Sequence, residues 1–170
     1  MLLNRKFFSC FALLALAGCG FSPLYGGEKG AAASAGLETV QVQTIPNRSG
    51  QVLYQTLQQD FYTNGAPTQA LYQLSVDYSI EQIGEGVQED SSTSRTRFVA
   101  VAHWRLSAIG EPSKTLKSGQ AMAMDGLNIL DQQYFAATLE TETVDKQLAN
   151  EIAAQMTTQL AAWFRAHPGS

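Results

Sequence analysis

The chain has 170 residues and carries 11 Lys and Arg against 15 Asp and Glu, a formal net charge of −4 at pH 7. Only two histidines and two cysteines occur, so neither a multi-histidine metal site nor a disulfide-rich framework can be built. A net acidic chain is also a poor general binder of nucleic acid. The length suits one domain that is stabilised by a packed core.

The N-terminal segment has the three parts of a secretory signal peptide. Arg5 and Lys6 precede an apolar run from Phe7 to Ala17, and small residues follow that run. The run is too short to cross a membrane, because a spanning helix needs about 20 residues. We therefore predict a signal peptide over residues 1–18 and export of the chain.

The small residues lead into Leu16-Ala17-Gly18-Cys19, which matches the bacterial lipobox. In proteins with this motif the cysteine thiol receives a diacylglyceryl group, the chain is cut before the cysteine, and the new amine is acylated, for example with palmitate. The match implies lipidation of Cys19 and a mature chain with nine basic and fifteen acidic residues, a charge of −6. No disulfide is then possible, because Cys10 is removed. The alternative is an ordinary cleaved signal in which Cys19 is incidental.

A segment rich in Gly, Ala and Ser follows the lipobox and shows no sustained hydrophobic period. We predict a lipid-anchored flexible tether over residues 19–36, with a reach of about 20–25 Å. The remaining residues, 37–167, are predicted to form a single α/β sandwich domain.

The first part of this domain reads as a strand followed by a helix. Apolar residues alternate loosely over Leu37–Ile45 and predict a strand that stops at the next proline. A helix is predicted over residues 49–63, with Ser49 or Asn47 as its cap.

Three further strands are predicted over residues 72–81, 97–106 and 116–124, because apolar and polar residues alternate there. Polar turns at Gly84–Ser94 and Gly110–Ser113 separate them. The residues predicted to face the core are Tyr72, Leu74, Val76, Tyr78, Ile80, Phe98, Ala100, Ala102, Trp104, Leu106, Leu116, Met122 and Met124.

The last element is a long amphipathic helix that starts at Asp131 and ends before Pro168-Gly169. Its apolar residues recur every three or four positions. The element order β-α-β-β-β-α predicts an α+β fold, a four-stranded mixed sheet with two helices packed on one face.

No catalytic or cofactor motif is present. His103 lies on the polar side of a predicted strand and His167 lies near the chain end, so they form no metal site or catalytic triad. The chain contains no G-x-S-x-G sequence. We predict that it is not an enzyme and holds no cofactor or metal.

Five of the nine basic residues of the mature chain lie in the third and fourth predicted strands and their connection. This basic strip consists of Arg95, Arg97, Arg105, Lys114 and Lys117. The three arginines share one parity and are predicted to project from the face opposite Phe98 and Trp104. Guanidinium groups suit phosphate and carboxylate ligands, so the strip is a candidate anion site; the alternative is a solvated face that protects a sheet edge.

Four stretches together resemble one protein family. They are "LAGCGFSPLYG", "IPNRSGQVLYQTL", "SRTRFVAVAHWRL" and "NILDQQYFAATLETETVDKQLANEIAAQMTTQL", and they cover nearly the whole chain. In order and content they resemble the lipopolysaccharide-assembly lipoprotein family, LptE, in its alphaproteobacterial form. Members of that family have two helices on a four-stranded sheet.

The resemblance implies a non-enzymatic subunit of the outer-membrane lipopolysaccharide translocon. Such subunits plug the LptD-type β-barrel, help to assemble it, and contact lipopolysaccharide. Gly20, in place of Asp after the cysteine, resembles lipoproteins sent to the outer membrane, on whose periplasmic side the domain is expected. The basic strip would contact phosphorylated lipid A and core sugars. The alternative function is an auxiliary lipoprotein of a periplasmic lipid-transport ABC system.

Overall fold

A computed structural model describes residues 27–62, 65–67, 69–87, 93–128 and 134–167. The predicted signal peptide and the lipobox cysteine lie outside these residues. The elements are α1 (Gly27–Glu38), β1 (Val40–Val42), α2 (Arg48–Phe61), β2 (Tyr72–Val87), β3 (Thr93–Ala108), β4 (Thr115–Asn128) and α3 (Tyr134–Ala166).

The four strands form one sheet in the order β1-β2-β3-β4. β1 is parallel to β2, with Val40 opposite Tyr72, whereas β2, β3 and β4 form an antiparallel meander. In the middle of the meander Val76, Trp104 and Gly119 lie side by side. The predicted α+β class and mixed four-stranded sheet are therefore confirmed.

Helices α2 and α3 cover one face of this sheet, as predicted. α2 buries Leu53, Leu57 and Phe61 at a four-residue spacing, which places them on one side of the helix. The side chains that α3 buries recur every four residues from Val144 onwards; they include Val144, Leu148, Ile152, Met156 and Leu160. Together with the inward side chains of the sheet they form one continuous core.

The inward residues of β2 and β3 are those that the alternation predicts. Tyr72, Leu74 and Tyr78 are buried, and Val76 and Ile80 pack partly buried against the core. In β3 the buried residues are Phe98, Ala100, Ala102, Trp104 and Leu106.

The prediction for β4 is wrong. Ala121 and Ala123 are 2% exposed and face the helices, whereas Met122 and Met124 are 44% and 59% exposed. Ala121 and Ala123 pair with Ala102 and Ala100 of β3, so small side chains line the part of the sheet on which α3 lies. Because side chains alternate between the faces of a strand, the two methionines must point away from the helices.

The first strand is shorter than predicted. It spans Val40–Val42 instead of Leu37–Ile45. The backbone hydrogen bonds between this segment and β2 end at the one that the Gln43 amide donates to the Leu74 carbonyl at 2.9 Å. The chain then turns so that Ile45 is buried against Gly50 in the first turn of α2. A Cβ at Gly50 would lie 2.8 Å from the Ile45 side chain, so this close approach requires glycine.

Residues 27–36, predicted to be part of a flexible tether, belong to helix α1. The helix packs against α3, where the Phe164 ring is so close to Gly36 that an added Cβ would lie 2.5 Å from it. Ala33 and Leu37 are buried. The composition that suggested a linker is also rich in alanine, which has the highest helix propensity, and α3 supplies the apolar partner.

The hairpins differ from the predictions in length. β2 continues to Val87 and β3 starts at Thr93, so much of the predicted polar turn at Gly84–Ser94 is strand. The predicted turn after β3 is confirmed: Gly110 has φ 87°, and the Glu111 amide donates to the Ala108 carbonyl at 3.1 Å.

Candidate functional site: the open face of the sheet

The sheet face opposite the helices, here called the open face, has no helix of the described chain packed on it. Its residues come from alternate positions of β2, β3 and β4. Across the three strands it has three parts, which are an arginine pair, an apolar patch and a polar depression.

The arginine pair consists of Arg95 and Arg97 near the start of β3, and both side chains are exposed. Arg97 lies opposite Gly126 of β4. The Arg95 guanidinium crosses over this glycine, since a Cβ there would lie 3.2 Å from Arg95 Nη2. The absence of a side chain at Gly126 therefore lets the guanidinium lie along the sheet. The two cations share one end of the open face.

The apolar patch adjoins the arginine pair. Val99 lies opposite Met124, and Val101 lies opposite Met122. The valines are half-buried between their neighbours, whereas the methionines are exposed. Ile83, directly opposite Arg97 on β2, is also exposed. Cations beside flexible apolar side chains form a surface suited to an amphiphile with an anionic headgroup.

The polar depression lies at the other end of the open face and has a volume of about 730 Å³. It is bordered by Gln43 and Thr44, and its polar wall includes Ser75, Asp77, His103, Arg105, Ser118 and Gln120. The Ser75 hydroxyl donates to Gln43 Oε1 at 2.7 Å. The depression thus offers hydrogen-bond donors and acceptors together with one negative and one positive side chain, Asp77 and Arg105.

The five residues of the basic strip do not form one continuous surface. Arg105 shares the open face with Arg97, but it lies eight positions further along β3, about 26 Å away. Lys117 pairs with inward-facing Leu106, which places it on the helix side of the sheet. Lys114 lies in the turn before β4, with its Nζ 3.5 Å from Glu111 Oε2. The structure therefore brings together only Arg95 and Arg97.

On the helix side, Tyr78 is a buried ionisable group with a strongly shifted pKa. Its hydroxyl is buried and has no hydrogen-bond partner among the described residues. Burial, and secondarily the nearby Asp145 carboxyl, raises the pKa of Tyr78 to about 12. Burial also raises the pKa of Asp145, while Arg48 opposes that change. These groups lie on the helix side of the sheet and not on the open face.

Two features of the described residues bear on membrane and metal binding. No group of three or more His, Cys, Asp or Glu side chains within them is arranged to hold a metal ion. None of the helices in the described ranges has the length and apolar character needed to cross a membrane. Cys19, the predicted lipidation site, lies outside these ranges.

Known structures share this architecture. A protein from Caulobacter crescentus CB15 described as a lipoprotein superposes with a TM-score of 0.63 at 20% identity, over 79% of this chain and 96% of that one. Rare lipoprotein B from Shewanella oneidensis gives a TM-score of 0.55 at 11% identity, over 74% and 93%. A minor lipoprotein from Acinetobacter baumannii gives 0.58 at 13% identity, over 74% and 92%.

The chain has the fold of small bacterial lipoproteins. At these identities the likeness concerns the fold alone. No family model matches the chain, and no curated protein matches its sequence.

The apolar patch was not predicted from the sequence. Leu116, Met122 and Met124 share one parity of the predicted strand, and this parity was assigned to the core although Ser118 and Gln120 interrupt it. The signal that could have placed them outside is the cross-strand pairing of alanines, because Ala100 and Ala102 lie on the inward side of β3 beside Ala123 and Ala121. An antiparallel hairpin brings those four small residues to one face.

Proposed function

We propose that the protein is an outer-membrane lipoprotein of the LptE type, anchored through lipids on Cys19 on the periplasmic side. In this proposal it is a non-enzymatic subunit of the lipopolysaccharide transport and assembly machinery. It plugs an LptD-type β-barrel, assists its assembly, and contacts lipopolysaccharide.

Two independent observations support this proposal. The lipobox at Leu16–Cys19 and the three motifs downstream resemble the family, and the fold is shared with small bacterial lipoproteins, including rare lipoprotein B. A folded domain with α1 docked on it leaves residues 19–26 as the segment between the proposed anchor and the first described helix. The domain would therefore work close to the membrane surface.

The observation that carries the lipopolysaccharide contact is the open face, where Arg95 and Arg97 adjoin Val99, Met122 and Met124. Guanidinium groups bind phosphate in bidentate geometry, and apolar side chains beside them accommodate acyl chains. The net charge of −6 repels an anionic glycolipid overall. Local concentration of the two arginines at one end of the sheet is what offsets this repulsion.

The test compares two charge reversals in the full chain. Arg95→Glu with Arg97→Glu should weaken lipopolysaccharide binding by about tenfold or more, because charge-assisted contacts are replaced by repulsion. Lys146→Glu with Arg165→Glu on α3 is the matched control, since it changes the net charge by the same amount away from the open face. Equal losses in both variants would show that the arginine pair is only a solvated surface.

A further inference from the structure

The two outer edges of the sheet differ in how far other elements cover their backbone amide and carbonyl groups. β4 has its outer edge covered by α3: Gln155 accepts from the Met122 amide at 3.2 Å and donates to the Met122 carbonyl at 2.8 Å. Gln159 donates to the Gln120 carbonyl at 3.0 Å. These side-chain amides take the place of a neighbouring strand, because they offer the same donor and acceptor as a peptide group.

Among the described residues, none gives β2 a comparable cover along most of its outer edge. β1 pairs with it only from Tyr72 to Leu74, and the last bond on this side joins the Gln43 amide to the Leu74 carbonyl. β2 itself continues to Val87, about 40 Å further at the usual rise of a strand. Within the described ranges, no backbone bond from another element reaches this edge beyond Leu74.

The direction of the unpaired groups follows from the ladder. The Leu74 carbonyl and the Tyr72 amide both bond on the β1 side, so even-numbered residues of β2 direct their backbone groups outward. Because this direction alternates along a strand, the amide and carbonyl groups of Val76, Tyr78, Ile80 and Gln82 point to the free edge. Such a row is a template for another strand.

Two of the usual protections of an exposed edge are missing from β2. Its sequence, YQLSVDYSIEQIGEGV, contains no proline and no lysine, two residues that commonly block edge pairing. Ile80 is half-buried at the helix side of the edge, and Asp77 and Glu81 are exposed on the open face. A strand added here would therefore meet apolar surface on one side and carboxylates on the other.

We propose that the outer edge of β2 from Val76 to Val87 binds an extended strand of a partner polypeptide by β-augmentation. The partner strand carries apolar residues on the side that continues the core next to Ile80. On its other side it carries Lys or Arg opposite Asp77 and Glu81. This interaction goes beyond the proposed function and does not depend on it.

The negative charges of Asp77 and Glu81 on β2 favour a basic partner strand over a second copy of the chain. If two β2 edges paired in antiparallel fashion, Asp77 and Glu81 would lie opposite or diagonal to the same acids of the other copy. Like charges in these positions destabilise strand pairing. The free edge is therefore complementary to a basic strand and not to itself.

The test uses the full chain in detergent and two synthetic peptides, acetyl-TVKVKVRVT-amide and acetyl-TVEVEVEVT-amide. We expect the basic peptide to bind and to slow hydrogen exchange at the amides of Tyr78, Ile80 and Gln82. The amides of the adjacent odd-numbered residues already bond to β3, so their hydrogen-exchange rates should change little. Equal binding of both peptides, or protection that omits the even-numbered amides, would overturn the proposal.

Two variants make the test specific. Gln82→Pro removes an outward amide without removing a bond to β3, and it should weaken the basic peptide at least tenfold. Glu81→Lys, at an exposed position, should weaken the basic peptide and strengthen the acidic one, which keeps the proposal falsifiable if the proline variant does not fold. Gln155→Ala, on the opposite edge, is the matched control and should leave both affinities unchanged; loss of binding in this control would contradict the assignment to β2.

Discussion

Replacement of Gly119 by Ala is the sharpest test of the packing between the sheet and α3. The new Cβ would lie 2.5 Å from Trp104 Cζ2 and 2.6 Å from Gln159 Oε1, whereas ordinary carbon contacts are about 3.5–4.0 Å. Trp104 is 1% exposed and belongs to the continuous core. The absence of a side chain at Gly119 therefore leaves room for the indole ring of Trp104 between β4 and α3.

The expected loss in the free energy of unfolding lies near the upper end of the range for substitutions that overpack a core. We expect Gly119→Ala to lower the free energy of unfolding by about 3 kcal/mol, which corresponds to a fall in melting temperature of about 6–12 °C for a chain of this size. Denaturant unfolding followed by tryptophan fluorescence measures it, with m-values compared to confirm that the same surface is exposed.

Gly126→Ala is the matched control, because it makes the same chemical change in the same strand. There the nearest atom is Arg95 Nη2 at 3.2 Å, the mobile end of an exposed side chain, which can move aside. We expect its stability to stay within about 1 kcal/mol of the parent. A loss in Gly119→Ala no larger than in Gly126→Ala would refute the packing described for Trp104.

Three further predictions concern the helix layer. Tyr78→Phe should leave the free energy of unfolding unchanged or raise it by up to about 1 kcal/mol at pH 7, because it removes a buried hydroxyl without a partner among the described residues. In the parent, the folded state keeps the Tyr78 proton that the unfolded state loses from pH 10 upwards, so the free energy of unfolding should fall between pH 10 and about 12. Urea unfolding at a series of pH values should show a smaller fall for Tyr78→Phe. An equal fall in the variant and the parent would contradict the raised pKa of Tyr78. Gln155→Leu should cost about 1 kcal/mol and speed exchange of the Met122 amide, and unaltered exchange would show that Gln155 does not cover that edge. Gly36→Ala should cost about 2 kcal/mol and speed amide exchange throughout α1, since its Cβ would meet the Phe164 ring; slow exchange in that variant would mean that α1 is held by other contacts.

The sequence predicted the sheet well where alternation was strong. β2 and β3 have apolar residues at every second position, and the side chains they bury are those expected. The long helix was predictable for the same reason, because Val144, Leu148 and Ile152 follow its period. In these segments local pattern and tertiary packing agree.

The errors arose where packing outweighed local pattern. Ala121 and Ala123 face inward because α3 lies close to β4, and alternation then forces Met122 outward. Helix α1 has a linker-like composition and packs against Phe164 of α3, a contact that no local signal shows. The basic strip failed as a unit for a related reason: Lys117 lies in the same register and on the same parity as Ala121 and Ala123, so it occupies the helix side of the sheet.

The candidate site was predictable only in part. Shared parity placed Arg95, Arg97 and Arg105 on one face, which the structure confirms. Parity does not take account of distance along a strand, however, and the spacing of eight residues between Arg97 and Arg105 already implies a separation of about 26 Å. The free edge of β2 was hidden, because it depends on β1 ending after three residues.

Co-purification from membranes tests the central proposal most directly. A tagged full-length chain would be expressed in its own host, extracted in detergent, and its stable partners identified by mass spectrometry, with Cys19→Ser as the control for anchoring. We expect an integral LptD-type β-barrel to be recovered in stoichiometric amount with the parent chain. Recovery of inner-membrane ABC transporter components instead, or of no β-barrel at all, would contradict it.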